Sequence, residues 1–464
     1  MSDDPTKLSA GQLLARYKKG DLSPVEATKA ALARIERHDK TLNAFVLVDG
    51  EQALAEAAKS EERWRIGATK GRLDGVPTSI KDMSLSKGWP TRRGSRTTPA
   101  EGPWEEDAPL VARLREHGAI LLGKTATPEF GWKGVTDSPL TGITRNPWNP
   151  GLTPGGSSGG AAAALAAGFC TLASGGDGGG SIRIPAAMTG VVGLKPTYGR
   201  VPAYPGSPYG QLTHSGPMAR SVADAALMLT VMAEPDPRDG EAIHYDGNDF
   251  SQGLNKGVKG LKIAFSPTLC GHRVEPEVAK LVAAAAERFG SLGATVEEID
   301  PPLEGCTEPF LRLWLAKMAS QYAPLDAKQR KLLDPGFVEL AEEGLKLPLL
   351  DYLAAERARA DIARAMSLFH ERYYLLLTPT LPLVAFAAGI EVPPGYRQWY
   401  EWTPFTYPFN MSHQPAISLP CGLTSTGLPV GLQIVGPRFA DAMVLRAARA
   451  FEATMPAPVC PLAA

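Results

Sequence analysis

Ala108-Pro109-Leu110-Val111-Ala112-Arg113-Leu114-Arg115-Glu116-His117-Gly118-Ala119-Ile120-Leu121-Leu122 reads as a helix over 108 to 117, stopped by Gly118, that runs directly into a short apolar strand. Outward from it the same alternation recurs. Strand candidates follow at Leu261 to Phe265, Ala294 to Ile299, Tyr374 to Thr378, Ala416 to Leu419 and Pro429 to Val435, with helices over about 275 to 290, 350 to 370 and 440 to 453. Short apolar strands between helices argue for an α/β layered fold. Toward the N-terminus, residues 8 to 65 read as helices, with Ser23 as cap, Pro24 in the first turn and a stripe of Val25, Thr28, Leu32 and Ile35. Residues 302 to 372 read as a helix-rich lobe beside the sheet, yet no Pro/Gly/Ser linker marks a boundary, so the expectation is one continuous domain over 1 to 464, opened by an N-terminal helical region over 1 to 65.

Composition narrows the function. The chain has 464 residues, 44% of them hydrophobic, and balances 48 basic against 49 acidic residues, leaving no electrostatic footprint for nucleic acid or an anionic membrane. The five cysteines are scattered without CxxC spacing, and the seven histidines form no HExxH or tight His/Asp cluster, so no disulfide framework, no metal and no cofactor is expected. Met1-Ser2-Asp3-Asp4-Pro5 lacks a basic-then-apolar leader, and no apolar run approaches the roughly 18 residues of a membrane span. The expectation is a cytoplasmic protein acting on a small neutral partner, with no nucleic acid or membrane among its partners.

Two glycine-serine runs carry the chemistry: Pro154-Gly155-Gly156-Ser157-Ser158-Gly159-Gly160, then Gly175-Gly176-Asp177-Gly178-Gly179-Gly180-Ser181-Ile182-Arg183. Phosphate binding lacks the Gly-Lys-Ser/Thr ending of a P-loop. Gly155 to Gly159 fits the GxSxG elbow of α/β-hydrolases, which would need a histidine base such as His413, but the approach through Pro147, Pro150 and Pro154 cannot form the central strand that an elbow requires. A third reading is a serine activated by a lysine held neutral by desolvation. Lys81, at the end of the β-prone Gly75-Val76-Pro77-Thr78-Ser79-Ile80, meets that need, although spacing alone does not select it.

Gly75-Val76-Pro77 with Ile80-Lys81-Asp82, Arg145-Asn146-Pro147-Trp148, the two glycine runs through Ile184-Pro185, and Gly427-Leu428-Pro429-Val430-Gly431-Leu432-Gln433 together resemble the amidase signature family, in order along nearly the whole chain. The resemblance implies a large mixed β-sheet covered on both faces by helices, and a Ser-Ser-Lys triad of Lys81, Ser157 and Ser181. Ser181 would be the nucleophile of an acyl-enzyme, Ser157 the proton relay and Lys81 the base. The N–H groups of Gly178, Gly179, Gly180 and Ser181 would face the oxyanion. Ser158 would support the network, with Asp177 and Arg183 bracing the turn. Departures from the common family pattern stand at Gly176, Gly178 and Ala161, and the triple glycine should leave the turn less preorganised unless packing restrains it.

Phe130 and Trp132, and the crowd of Trp399, Tyr400, Trp402, Phe405, Tyr407 and Phe409, suggest an apolar acyl pocket and hence an aryl or alkyl amide substrate. The cluster Arg92, Arg93 and Arg96 reads as a solvated loop face. The resemblance also extends to glutamine-hydrolysing A-type subunits of tRNA-dependent amidotransferases, and it leaves a homodimer open.

Overall fold

The computed structural model describes residues 4–456 and 458–463; the leader reading over residues 1–3 lies outside them. Thirteen strands occur among the described residues: β1 (Phe45–Val48), β2 (Pro77–Lys81), β3 (Ile120–Thr125), β4 (Asp137–Ser138), β5 (Gly142–Ile143), β6 (Leu172–Asp177), β7 (Val192–Lys195), β8 (His214–Ala219), β9 (Lys262–Phe265), β10 (Thr295–Glu298), β11 (Leu375–Pro379), β12 (Ala416–Leu423) and β13 (Pro429–Val435). Eleven of them form one mixed sheet in the order β1-β3-β2-β6-β8-β7-β12-β13-β11-β9-β10, while β4 and β5 pair separately.

Both faces of the sheet are buried, and alternation along single strands demonstrates it. Leu121 packs into one apolar core while its neighbours Ile120 and Leu122 pack into another. Leu375 and Leu377 likewise point away from Leu376, as does Ile434 from Val435. A period of two with apolar residues on both sides is the mark of a sheet sandwiched between helices. One face is covered by the helices Pro109–Glu116, Val222–Met232, Pro276–Ser291 and Asp441–Glu452, which contribute to the largest core. On the other lie Pro24–Leu42, Gly50–Arg65 and the wholly buried Gly159–Ala166, and further along the sheet Thr307–Tyr322, Pro335–Gly344 and Leu349–Phe369.

The opening stretch forms the helix Pro109–Glu116 and then β3, with Gly118 at φ 80° between them. The N-terminal region differs from its all-helical expectation. Phe45–Val48 inserts a strand antiparallel to β3, because this apolar, β-prone quartet can join the sheet edge while Asp49 N–H donates to Leu122 O at 2.9 Å. In the second helix the buried stripe runs through Ala27, Thr28, Ala31 and Ile35, so Thr28 is at its centre.

Two parallel neighbours position the site. Strand β2 runs parallel to β6, with Ser79 opposite Ala173, so both carboxyl ends emerge on one edge. Lys81 is the last residue of β2 and Asp177 the last of β6. The carboxyl ends of parallel strands are where α/β sheets place their ligands.

Candidate active site

Lys81 is 3% exposed and Ser157 2%. The Lys81 Nζ sits 2.7 Å from Ser157 Oγ, 2.9 Å from Ser158 Oγ and 3.4 Å from Gly176 O. Its backbone N–H donates to Ser174 Oγ at 3.1 Å, which fixes the strand end. Burial pushes the Lys81 ammonium down to about 7, and the Asp177 carboxylate offsets only part of that. A neutral amine has two N–H donors and one lone pair, which matches three oxygen partners: Ser158 and Gly176 O can accept, and the Ser157 hydroxyl can donate its proton to the lone pair. Ser158 Oγ in turn donates to Gly176 O at 3.2 Å and accepts from Gly176 N–H at 3.3 Å.

The two glycine turns are tied together by Ser158 N–H donating to Ser181 O at 3.0 Å. No strand leads into Ser157; its run enters from a loop and opens the helix Gly159–Ala166. His413, the base an elbow would require, stacks on Tyr198 with centroids 4.6 Å apart, and its Nε2 faces Arg359 at 3.1 Å. Burial, then the Arg359 charge, pushes it down to about 3. The hydroxyl of Ser157 has the lysine as its partner instead.

The second turn is braced by a closed ion pair. Burial alone would raise the Asp177 carboxyl, but the Arg183 guanidinium holds it well below the usual carboxylate range. Arg183 donates Nε to Asp177 Oδ2 and Nη2 to Oδ1, both at 2.9 Å, and neither side chain is exposed. The remaining donors of Arg183 reach Thr406 O at 2.9 Å, Gln433 Oε1 at 2.8 Å and Asn410 Oδ1 at 2.7 Å. Asn410 Nδ2 donates to Asp177 O at 2.8 Å, and Thr406 Oγ1 to Gly179 O at 2.6 Å. A satisfied buried network of this kind rigidifies what it touches.

One of the four expected oxyanion donors is otherwise engaged. Gly180 N–H donates to Asp177 Oδ1 at 2.7 Å, because the buried carboxylate needs acceptor sites filled and the turn carries that N–H back over it. The N–H groups of Gly178, Gly179 and Ser181 have no protein acceptor among the described residues. Packing restrains the triple glycine: a Cβ at Gly180, whose φ is 131°, would lie 2.4 Å from Thr406 Oγ1, one at Gly179 would lie 3.0 Å from Phe310 Cζ, and one at Gly178 would lie 3.1 Å from Trp314 Cζ3.

Lys81, Ser157 and Ser181 line one cleft of about 210 Å³ with Phe130, Tyr209 and Trp314. Tyr209 stacks on Trp314 at 4.2 Å. Trp132 is outside this cleft: it lines a narrow crevice beside Ser181 with Trp399, and its ring packs where Gly336 leaves room, a Cβ there falling 2.8 Å from its Cη2. The expected aromatic crowd divides similarly, with Trp402, Phe405, Tyr407 and Phe409 given over to core packing. Sequence reasoning missed Trp314, Tyr209, Thr406 and Asn410, which no local motif marks. Gln433 stood within a quoted motif, but without a role.

The Amidase family model matches residues 26–445, and the protein belongs to the amidase signature family of amide-hydrolysing enzymes. It is 40% identical over 459 residues to an acylamidase of Rhodococcus erythropolis, covering 97% of this chain and 96% of that protein. The A-type component of the glutamyl-tRNA(Gln) amidotransferase of Myxococcus xanthus is 37% identical over 473 residues, covering 96% of this chain and 97% of that protein. Among solved structures, a bacterial aryl acylamidase of the same family superposes with a TM-score of 0.90 at 32% identity, covering 97% of this chain and 96% of that one. No helix among the described residues is long and apolar enough to cross a membrane, and they hold no group of three or more metal-ligating side chains.

Proposed function

We propose that the protein hydrolyses aryl or alkyl amides through an acyl-enzyme on Ser181, with Ser157 and Lys81 as proton relay and base. The observation that carries this reading is the buried Lys81 Nζ at 2.7 Å from Ser157 Oγ. Ser157 gives its proton to the neutral amine as it takes that of Ser181, whose oxygen attacks the amide carbon. The tetrahedral oxyanion is received by the N–H groups of Gly178, Gly179 and Ser181. The relay returns the proton to the leaving nitrogen, and water, deprotonated by the same route, hydrolyses the ester.

The substrate class is supported by the apolar walls Phe130, Tyr209 and Trp314 and by the acylamidase relatives. The reading also takes the enzyme to be a cytoplasmic, single-domain protein acting on a small molecule. A second reading, glutamine hydrolysis as the A-type component of an amidotransferase, is favoured by the full-length likeness to such proteins. A panel of acetanilide, hexanamide and glutamine separates the two: turnover of the first two by the purified chain is expected, lost in Ser181→Ala and lowered at least about a thousandfold in Lys81→Ala. Glutaminase activity alone, appearing only with copurified partners, would favour the second.

A further inference from the structure

Arg93 was expected on a solvated loop face, yet it lines the same cleft as Ser181 and Phe130. Its turn is pressed against the segment before Phe130: Phe130 N–H donates to Arg93 O at 2.8 Å, and a Cβ at Gly94 would fall 2.5 Å from Thr127 O. Arg93 itself has φ 55°, a left-handed conformation that a residue with a Cβ rarely adopts and that persists where surrounding structure over-determines it. Its neighbours settle differently, since Arg92 Nε donates to Thr98 O at 3.2 Å and Arg96 is exposed.

No carboxylate among the described residues lies within ion-pair distance of Arg93, and its guanidinium makes no hydrogen bond to them. The Asp82 carboxylate acts on it from beyond that distance; its Oδ1 faces Lys124 at 3.7 Å and accepts Arg92 N–H at 3.2 Å, while its Oδ2 is buried without a hydrogen-bond partner among the described residues. The acidic residues that line the cleft, Asp239 and Glu241, have other partners. Asp239 accepts from Ala203 N–H and Glu241 N–H at 2.8 Å each, and Glu241 from Gln211 Nε2 at 3.1 Å and from the Tyr198 hydroxyl. This half-buried, permanently charged planar fork has no protein acceptor among the described residues and keeps its donors accessible from the cleft, where a carboxylate matches it with two parallel hydrogen bonds.

Resting on the reading of the cleft as an amide site, we propose that Arg93 docks a carboxylate carried by the substrate, so that the preferred substrates are amides bearing an anionic group at a distance from the scissile bond. The chemistry leaves two placements for that group, on the acyl side or on the amine side.

The test is steady-state kinetics of the purified full chain, Arg93→Gln and Arg93→Lys on two matched pairs: succinamate against butyramide for the acyl side, and 4-acetamidobenzoate against acetanilide for the amine side. In one pair the wild type is expected to favour the carboxylate-bearing member in kcat/KM, and Arg93→Gln to reduce that ratio by about 30-fold, chiefly through KM. Arg93→Lys, a point charge without the fork, should recover part of it. The pair that responds identifies the side. Hydrolysis of the neutral amides with no carboxylate preference in either pair, or an Arg93→Gln loss equal for both members, would overturn the inference while leaving the amide site standing. No hydrolysis of any amide together with an unreactive Ser181 would remove both.

Discussion

At the scale of single residues, the proposed chemistry depends on where one lysine loses its proton. In water Lys81 would be an ammonium at neutral pH, with no lone pair to receive anything. Burial against two serine hydroxyls and a carbonyl moves it to about 7, so a large fraction is already a base under neutral conditions. The sign follows: below that value the amine holds its proton and the proposed relay would be blocked, and above it the lone pair is free. The kcat/KM for a neutral amide is expected to rise tenfold per pH unit well below pH 7 and level off above it, read from a pH–rate profile with a substrate that does not titrate. A profile that is flat, or that falls across this range, would remove Lys81 as the base.

At the scale of elements, the site is the meeting of two strand ends with two glycine turns, and this level shows what a sequence can and cannot disclose. The strand β2 ending at Lys81 and the runs holding Ser157, Ser158 and Ser181 were legible because each is short, contiguous and unusual in composition. The later strands were legible as apolar runs between turns, whereas Phe45–Val48 hid inside a helical stretch because four residues are too few to set a period. The bracing of the second turn was half legible. Asp177 and Arg183 are neighbours in sequence, but Asn410 and Gln433 reach them only through the folded sheet, 233 and 250 residues away. Arg93 misled for a related reason, since burial is a property of packing and not of a local charge cluster. The brace itself is testable. Arg183→Met leaves the buried Asp177 carboxylate without its partner, and the chain is expected to lose about 3–5 kcal/mol in urea unfolding, with Arg183→Met/Asp177→Asn losing less than the single change. Equal stability of the single variant and the wild type would show that the pair carries no structural weight.

At the scale of the whole molecule, the sheet brings Lys81 from the first quarter of the chain and the serine turns from the second to one cleft, and sets Thr406 and Gln433 from the last quarter against Arg183 behind the second turn. The strand order makes this unavoidable, because β2 and β6 are adjacent while β12 and β13 lie near the middle of the same sheet. The largest core runs from Ala10 to Phe451, so the parts that hold the site are packed by residues from both ends. The proposed nucleophilicity of Ser181 would thus depend on the assembled chain, and it is best asked of the intact protein. Fluorophosphonate labelling followed by peptide mass spectrometry tests it most directly. The expected result is a single adduct on the peptide containing Ser181, absent in Ser181→Ala and forming faster as pH rises through about 7. An adduct on Ser157, or labelling at a rate indifferent to Lys81→Ala, would contradict it.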